Sequence, residues 1–295
     1  MSHPLLENLL RTLEEDPGAT ADLETLAVSL HVSSVHLQRL FRFAFGMPLA
    51  RYIRARRLAG SLAALRGSRL TVLDVAQNCG FSHEQSFIRA FRHEFGMTPG
   101  AYRRSSAIIP VTPPLQLYAG NLLESGLLFG PEFVMLPRLL LVGKPGLVLH
   151  RESGQMAPQA AMAFWDKGRS GIRHVAEPET YYGYTRMQER DPAYSSYMPS
   201  VRVNRLSSIP GGCAGVTVEP CMHVCFRYVG AHSCYAINQD TARDMYAALF
   251  RFLGNNRSEF AVRSDRYFIE RIDTAAGGDM SCMMEWYAPV VRRER

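Results

Sequence analysis

The sequence predicts a multidomain chain, with an all-α double helix-turn-helix half followed by an α+β half, and three observations predict it. A residue pattern near the N-terminus recurs about fifty positions later, with helical periodicity in both copies. A stretch rich in Pro and Ser follows the second copy. Beyond it the apolar pattern changes to short strand-like runs that alternate with helical ones.

The repeat comes first in the chain. Leu26-Ala27, Val32-Ser33, Arg39-Leu40-Phe41-Arg42, Phe45-Gly46-Met47 and Tyr52 return as Val75-Ala76, Phe81-Ser82, Arg89-Ala90-Phe91-Arg92, Phe95-Gly96-Met97 and Tyr102. The offset is 49 residues up to Ser33/Ser82 and 50 after it. In each copy the serine is expected to cap a helix and Phe-Gly-Met to stop it. After Ser33, Leu37, Leu40 and Phe41 fall on one helical face, which turns Val35, Gln38, Arg39 and Arg42 outward. After Ser82, Phe87, Ala90 and Phe91 point inward and Glu84, Gln85, Ser86, Ile88, Arg89 and Arg92 outward. Between the copies, Pro48 to Arg66 carries Tyr52, Ala55, Leu58, Leu62 and Leu65 as one apolar stripe and is expected to form a single linking helix. Roughly eighteen residues at about 1.5 Å each span about 27 Å.

Gln and Arg on an exposed helix face can hydrogen-bond base edges in pairs, Gln to adenine and Arg to guanine, and a helix fits the major groove. The plain alternative, a solvated helix surface, weakens when two copies keep the same register. Successive major-groove faces lie about 34 Å apart, so one chain can reach two of them. Charge agrees: residues 31–104 hold twelve Arg against Asp74, Glu84 and Glu94, while the whole chain is only +6. Such concentration suits phosphate binding by counterion release. Arg51, Arg54, Arg57, Arg103 and Arg104 flank the outward faces and are the expected phosphate contacts.

Leu37-Gln38-Arg39-Leu40-Phe41, Tyr52-Ile53-Arg54-Ala55-Arg56-Arg57-Leu58, and Gly80-Phe81-Ser82 leading to Arg89-Ala90-Phe91 resemble the paired helix-turn-helix domain of AraC/XylS-type transcription regulators. The resemblance spans residues 5–106. It implies a double-stranded DNA operator as partner, with Gln38 and Arg39 in base-contacting positions beside Ser34, Val35 and Arg42. It implies a second reading surface of Glu84, Gln85, Ser86, Arg89 and Arg92. Val35 stands where close relatives carry tryptophan. RNA polymerase is an implied partner, and activation is the expected sign of regulation.

At 295 residues the chain has room for two domains. It lacks an apolar run of roughly 20 residues and a signal-peptide start, so a cytoplasmic protein without membrane contact is expected. Ser105-Ser106, Pro110, Pro113 and Pro114 open an expected linker over residues 107–131. Behind it, residues 132–292 are read as strand 134–142, helix 156–165, strand 181–187, strand 222–228 ending at Gly230, helix 240–253, and strands 267–272 and 281–288. The inner stripe of the second helix is Ala242, Met245, Leu249 and Phe252. Ile209-Pro210-Gly211-Gly212, Phe226-Arg227-Tyr228-Val229-Gly230, Tyr267-Phe268-Ile269-Glu270-Arg271 and Met284-Glu285-Trp286-Tyr287-Ala288-Pro289 resemble the GyrI-like effector-binding domain. That resemblance implies a multidrug-type small-molecule effector, with the glutamate of the Glu270 segment meeting cationic or amphipathic ligands.

Glu270 lies on an alternating strand and is the expected ligand carboxylate, with Trp165, Tyr182, Tyr228 and Trp286 as candidate walls. Its competing reading is a surface ion pair with Arg271 or Arg263. Six cysteines are expected as reduced thiols. Cys221, His223 and Cys225 share one face by period two, near Cys213, His232 and Cys234, which keeps open a sensor of metal or thiol oxidants. The spacing is not that of a zinc finger or ribbon, and no metal or cofactor is assigned. The reading is a DNA-binding regulator and not an enzyme. The enzymatic alternative is a GyrI-like hydrolase using Glu270 as base beside a tyrosine acid.

Overall fold

The computed structural model describes residues 4–15, 23–117, 122–149, 156–187, 194–234, 237, 239–255, 259–275 and 282–293. The chain divides into two compact units, Pro4–Tyr118 and Ala119–Arg295.

The first unit is helical throughout: α1 (Pro4–Glu15), α2 (Leu23–Ser29), α3 (Ser34–Phe45), α4 (Leu49–Gly67), α5 (Val72–Asn78), α6 (Glu84–Phe95) and α7 (Pro99–Arg104). α2 and α3 repeat as α5 and α6, as the sequence pattern requires. Ser33 caps α3 by accepting from the His36 N–H. Ser82 does not play that part. The one-residue change of offset starts α6 at Glu84, so His83 takes the cap position, without a side-chain cap bond. Both reading helices end on a left-handed glycine, Gly46 and Gly96 at φ 72°, whose N–H groups donate to the Arg42 and Arg92 carbonyls. A β-carbon is strained at that angle, which explains the Phe-Gly-Met stop.

The cores repeat with the helices. Phe41 packs on Phe45 and Tyr52 at ring separations of 4.8 and 5.4 Å, and Phe91 packs on Phe95 and Tyr102 at 4.7 and 5.9 Å. Helix α4 serves both cores, with Tyr52 in the first and Leu58 and Leu65 in the second. Its 19 residues give it a length of about 28 Å.

In the second unit the strands are β1 (Gly126–Leu136), β2 (Leu139–Gly143), β3 (Gly146–Leu149), β4 (Thr180–Met187), β5 (Tyr194–Arg202), β6 (Ala214–Val218), β7 (Cys221–Gly230), β8 (Phe260–Val262), β9 (Tyr267–Asp273) and β10 (Cys282–Arg292). The helices are α8 (Met156–Ala163), which runs into a π-helical turn at Phe164–Gly168, and α9 (Gln239–Asn255). The strands form one antiparallel path, β1-β7-β10-β9-β4-β5-β2-β6, with β3 added to β5 and β8 to β10.

Alternation sorts the side chains onto two faces. Tyr181, Val201, Phe226, Phe268, Met284 and Trp286 meet Met245 and Leu249 of α9 in one core. Tyr182, Met198, Cys225, Tyr267, Ile269 and Tyr287 form another on the opposite face.

Several sequence expectations change. The single strand over 134–142 is two strands broken at Pro137-Arg138: β1 pairs with β7, whereas β2 pairs with β5 and β6. Residues 126–131, expected as linker, open β1, and Leu127, Leu128 and Phe129 are buried. Residues 118–121 of that expected linker, and Ser281, lie outside the described residues. Strands β3, β5, β6 and β8 have no counterpart in the sequence reading: β3, β6 and β8 are only three to five residues long, and β5, buried along most of its length, lacks the alternation that marks a half-buried strand. The buried stripe of α9 is Thr241, Met245, Leu249 and Leu253, with Ala242 and Phe252 at its margins.

Candidate DNA-reading helices and effector site

On α3 the outward residues Val35, Gln38, Arg39 and Arg42 are exposed and Ser34 is half-buried. On α6, Gln85, Arg89 and Arg92 are exposed, with Glu84 and Ser86 half-buried. The Gln38 side-chain amide donates to the Ser34 carbonyl at 3.2 Å, a local bond that orients it along the helix.

The flanking arginines divide into two groups. Arg51, Arg54 and Arg104 are exposed. Arg103, expected at phosphates, instead donates to the carbonyls of Leu65 at 2.9 Å and Leu70 at 2.8 Å, which ties α7 to the end of α4. Arg57 donates to the Gly80 carbonyl at 3.2 Å, holding α4 to the turn before α6. Partial burial lowers its pKa from the ordinary arginine value.

Arg66 lies 4.1 Å over the Tyr102 ring and donates to the Ser105 and Ala107 carbonyls. Arg56 pairs with Glu14 at 2.7 Å and donates to the Thr112 carbonyl. The Tyr52 hydroxyl donates to Glu14 and accepts from the Leu115 N–H. The first part of the expected linker is therefore stitched onto the helical unit, a role that composition alone does not reveal.

In the second unit Glu270 stands on β9, opposite Gly183 of β4 and Trp286 of β10. It faces the α9 side of the sheet with Phe268 and Ile272. A β-carbon at Gly183 would lie 2.3 Å from Glu270 Oε2, so any side chain there would push the carboxyl out of this position. The Tyr197 hydroxyl donates to Glu270 Oε2 at 3.3 Å and stands 2.5 Å from the Tyr181 hydroxyl. Burial pushes the Glu270 carboxyl up to about 7, against the lowering influence of the Tyr197 bond. Burial first, and then the Glu270 charge, raises the Tyr197 and Tyr246 phenols.

The arginines proposed as surface partners are committed elsewhere: Arg263 to Asp265, and Arg271 to Glu285 and Glu177. Trp286 is buried, stacked on Phe268 at 5.1 Å and edge-on to Tyr246 at 5.2 Å. Trp165 stands edge-on to Tyr181 at 6.1 Å and lines a cavity of about 330 Å³ with Arg169, Val175 and Val201.

Two expected walls fall elsewhere. Tyr182 points to the opposite face, where its hydroxyl donates to Glu177 at 2.9 Å and accepts from Arg271. The parity of β4 decides this, because adjacent residues of a strand alternate faces; Tyr181 takes the Glu270 side instead, where its hydroxyl meets the Tyr197 hydroxyl that reaches the carboxyl. Tyr228 is on the Glu270 face but two strands away, fully buried, its hydroxyl donating to the Ser125 carbonyl and bonded to His232.

The cysteine cluster is split by the sheet as well. Cys213, Cys234 and Cys282 join the α9-side core, while Cys225 faces the other way. Among the described residues, no group of three or more His, Cys, Asp or Glu is placed to hold a metal ion. Among the same residues, no helix is long and apolar enough to cross a membrane.

The helix-turn-helix domain family matches residues 26–105. Transcriptional regulator Rob of Salmonella typhimurium is 39% identical over 115 residues, which are 38% of this chain and 40% of Rob. The chain thus spans well under two thirds of that relative's length. A solved structure, SAV2435 bound to tetraphenylphosphonium, is 17% identical with a TM-score of 0.39, covering 55% of this chain and 94% of that one. The regulatory protein SoxS of Salmonella typhimurium is 34% identical over 104 residues, which are 35% of this chain and 97% of SoxS. With nearly all of SoxS matched at that identity, and the doubled helix-turn-helix in place, the chain belongs to the AraC family of transcription regulators.

Proposed function

We propose that the protein is a transcription activator that reads an operator with α3 and α6, engages RNA polymerase, and is controlled by a small amphipathic or cationic effector in a GyrI-like second unit. The observation that supports it most is the pair of exposed Gln/Arg faces on helices held in the same register by one linking helix. Gln38 and Arg39 are the base readers of α3, with Ser34, Val35 and Arg42 at its margins. Glu84, Gln85, Ser86, Arg89 and Arg92 form the second surface.

Arg39→Ala is expected to weaken operator binding by roughly 1 to 3 kcal/mol and to relax preference at one base pair. Arg54→Ala, at an exposed flanking arginine, is expected to weaken all sequences about equally, with a shallower salt slope. Competition binding against operator variants separates the two, and unchanged discrimination by the Arg39 variant refutes the assignment of α3.

One chain carries two reading helices, so one monomer is expected to occupy an asymmetric site of roughly two helical turns. Sedimentation in which only a dimer binds operator would contradict that stoichiometry.

The effector reading rests on the second unit's own chemistry. Glu270 is a carboxyl enclosed by Gly183 and Tyr197 and opposite Trp286, with Tyr181 and Trp165 beyond it. Such a site favours a ligand that brings positive charge and apolar surface together.

A further inference from the structure

On the sheet face opposite α9, away from Glu270, Cys221 opens β7 two residues before His223. His223 is fully buried, and its orientation is settled by its neighbours. Nδ1 lies 3.0 Å from the Cys221 carbonyl, an atom that can only accept, so Nδ1 carries the proton. Nε2 is then a lone-pair acceptor, and the Tyr267 hydroxyl, 3.0 Å away, donates to it. The Tyr267 oxygen in turn stands 3.4 Å from Cys221 Sγ, free in its donor role only toward the histidine, so it is the acceptor for the thiol S–H.

With that tautomer the chain runs from thiol to tyrosine to imidazole, and the sulfur itself lies 3.8 and 3.9 Å from the ring nitrogens Nδ1 and Nε2. The Arg263 guanidinium, which Asp265 holds at 3.0 Å, places a positive charge close enough to interact with the Cys221 sulfur. Burial and the Arg263 charge depress the His223 pKa, which keeps the imidazole neutral and its lone pair available. Unlike Cys225 and Cys282, which are buried, Cys221 retains solvent access.

From this geometry we propose that Cys221 is a reactive thiol, oxidised by small hydroperoxides, with Tyr267 and His223 relaying its proton and Arg263 steadying the charge. The sulfur attacks the hydroxyl oxygen of ROOH; the S–O bond forms as the O–O bond breaks. Sulfur loses two electrons to the peroxide, which leaves as alkoxide. The thiol proton moves to Tyr267 as the Tyr267 proton moves to His223 Nε2, and the reverse transfer delivers a proton to the alkoxide. The products are a cysteine sulfenic acid and ROH. A positively charged neighbour and a positioned base are the features that separate reactive from inert cysteines.

The test treats the full chain with equimolar hydrogen peroxide, traps sulfenic acid with dimedone and resolves the six cysteines by peptide mass spectrometry. Cys79 and Cys213, also partly exposed, serve as internal standards. Cys221 is expected to be trapped at least roughly tenfold faster than either, a conservative share of the roughly hundredfold or more that a positioned base supplies. Tyr267→Phe, which keeps the ring and removes the relay, is expected to abolish most of that advantage. Because Tyr267 is also a core residue, Arg263→Gln provides a second variant on the solvent side, expected to slow trapping by a smaller factor. Trapping of Cys221 at the rate of Cys79 and Cys213, or unchanged trapping in a folded Tyr267→Phe variant, overturns the proposal.

Discussion

Arg56→Ala is expected to destabilise the helical unit by about 3 kcal/mol, the scale of breaking a largely buried ion pair from one side. The Arg56 and Glu14 side chains are only 16% and 24% exposed, so water does little to solvate whichever charge is left behind. The guanidinium meets Glu14 through Nε and Nη2 and reaches the Thr112 carbonyl with Nη1. The substitution therefore leaves the Glu14 carboxylate without its counter-charge, although the Tyr52 hydroxyl still donates to it, and takes a donor from the Thr112 carbonyl, so it loosens α1, α4 and the segment behind α7 at once. The pair, however, contributes far less than its breakage costs, because both charges were desolvated to form it. It follows that Glu14→Leu/Arg56→Leu should recover most of the loss. Hydrogen exchange of α1 and α4 in the full chain reads both effects within this unit. A cost below about 1 kcal/mol for Arg56→Ala would mean that the pair is solvated and the anchoring role is wrong.

The helical half was legible because each copy of the repeat writes its periodicity, its cap and its glycine stop in consecutive residues. The slip at Ser82 shows the limit of that reading: a single inserted residue moves a cap without disturbing the apolar spacing that advertises the helix. Side-chain commitments over long separations were not legible. Arg103 and Arg56 look like any surface arginine in a basic stretch until folding brings Leu65, Leu70 and Glu14 to them. In the second unit, Glu270 was visible from the alternation of its strand, and Trp286, opposite it, was among its expected walls, but its tyrosine neighbours were not legible. Tyr181 and Tyr182 are adjacent and chemically equivalent, and only the register of β4 against β9 decides which of them faces Glu270. Tyr197 lies on a strand that the sequence did not announce, and the need for glycine at 183 appears only once Glu270 approaches it.

Raising the pH from 6 to 8 is expected to tighten binding of a lipophilic cation such as an alkyltrimethylammonium by about tenfold, and Glu270→Gln is expected to remove that dependence. The sign follows from burial. Desolvation raises the Glu270 carboxyl to about 7, so at pH 6 the empty site is mostly protonated and neutral. A cation stabilises only the carboxylate, so below the empty-site value each binding event must also expel a proton. Affinity thus rises with pH up to about 7 and levels off above it, where Glu270 is already ionised. At pH 8 the Gln variant should bind the cation roughly tenfold or more weakly, having lost charge but little volume. A fatty acid should behave in the opposite way. Its carboxylate is repelled by ionised Glu270, so its affinity should fall as pH rises and should be spared or improved in the Gln variant. Calorimetry in buffers of different ionisation enthalpy counts the expelled proton directly. Binding of the cation without proton release at pH 6, or equal losses for both ligand classes in Glu270→Gln, would assign Glu270 to structure and place the effector elsewhere.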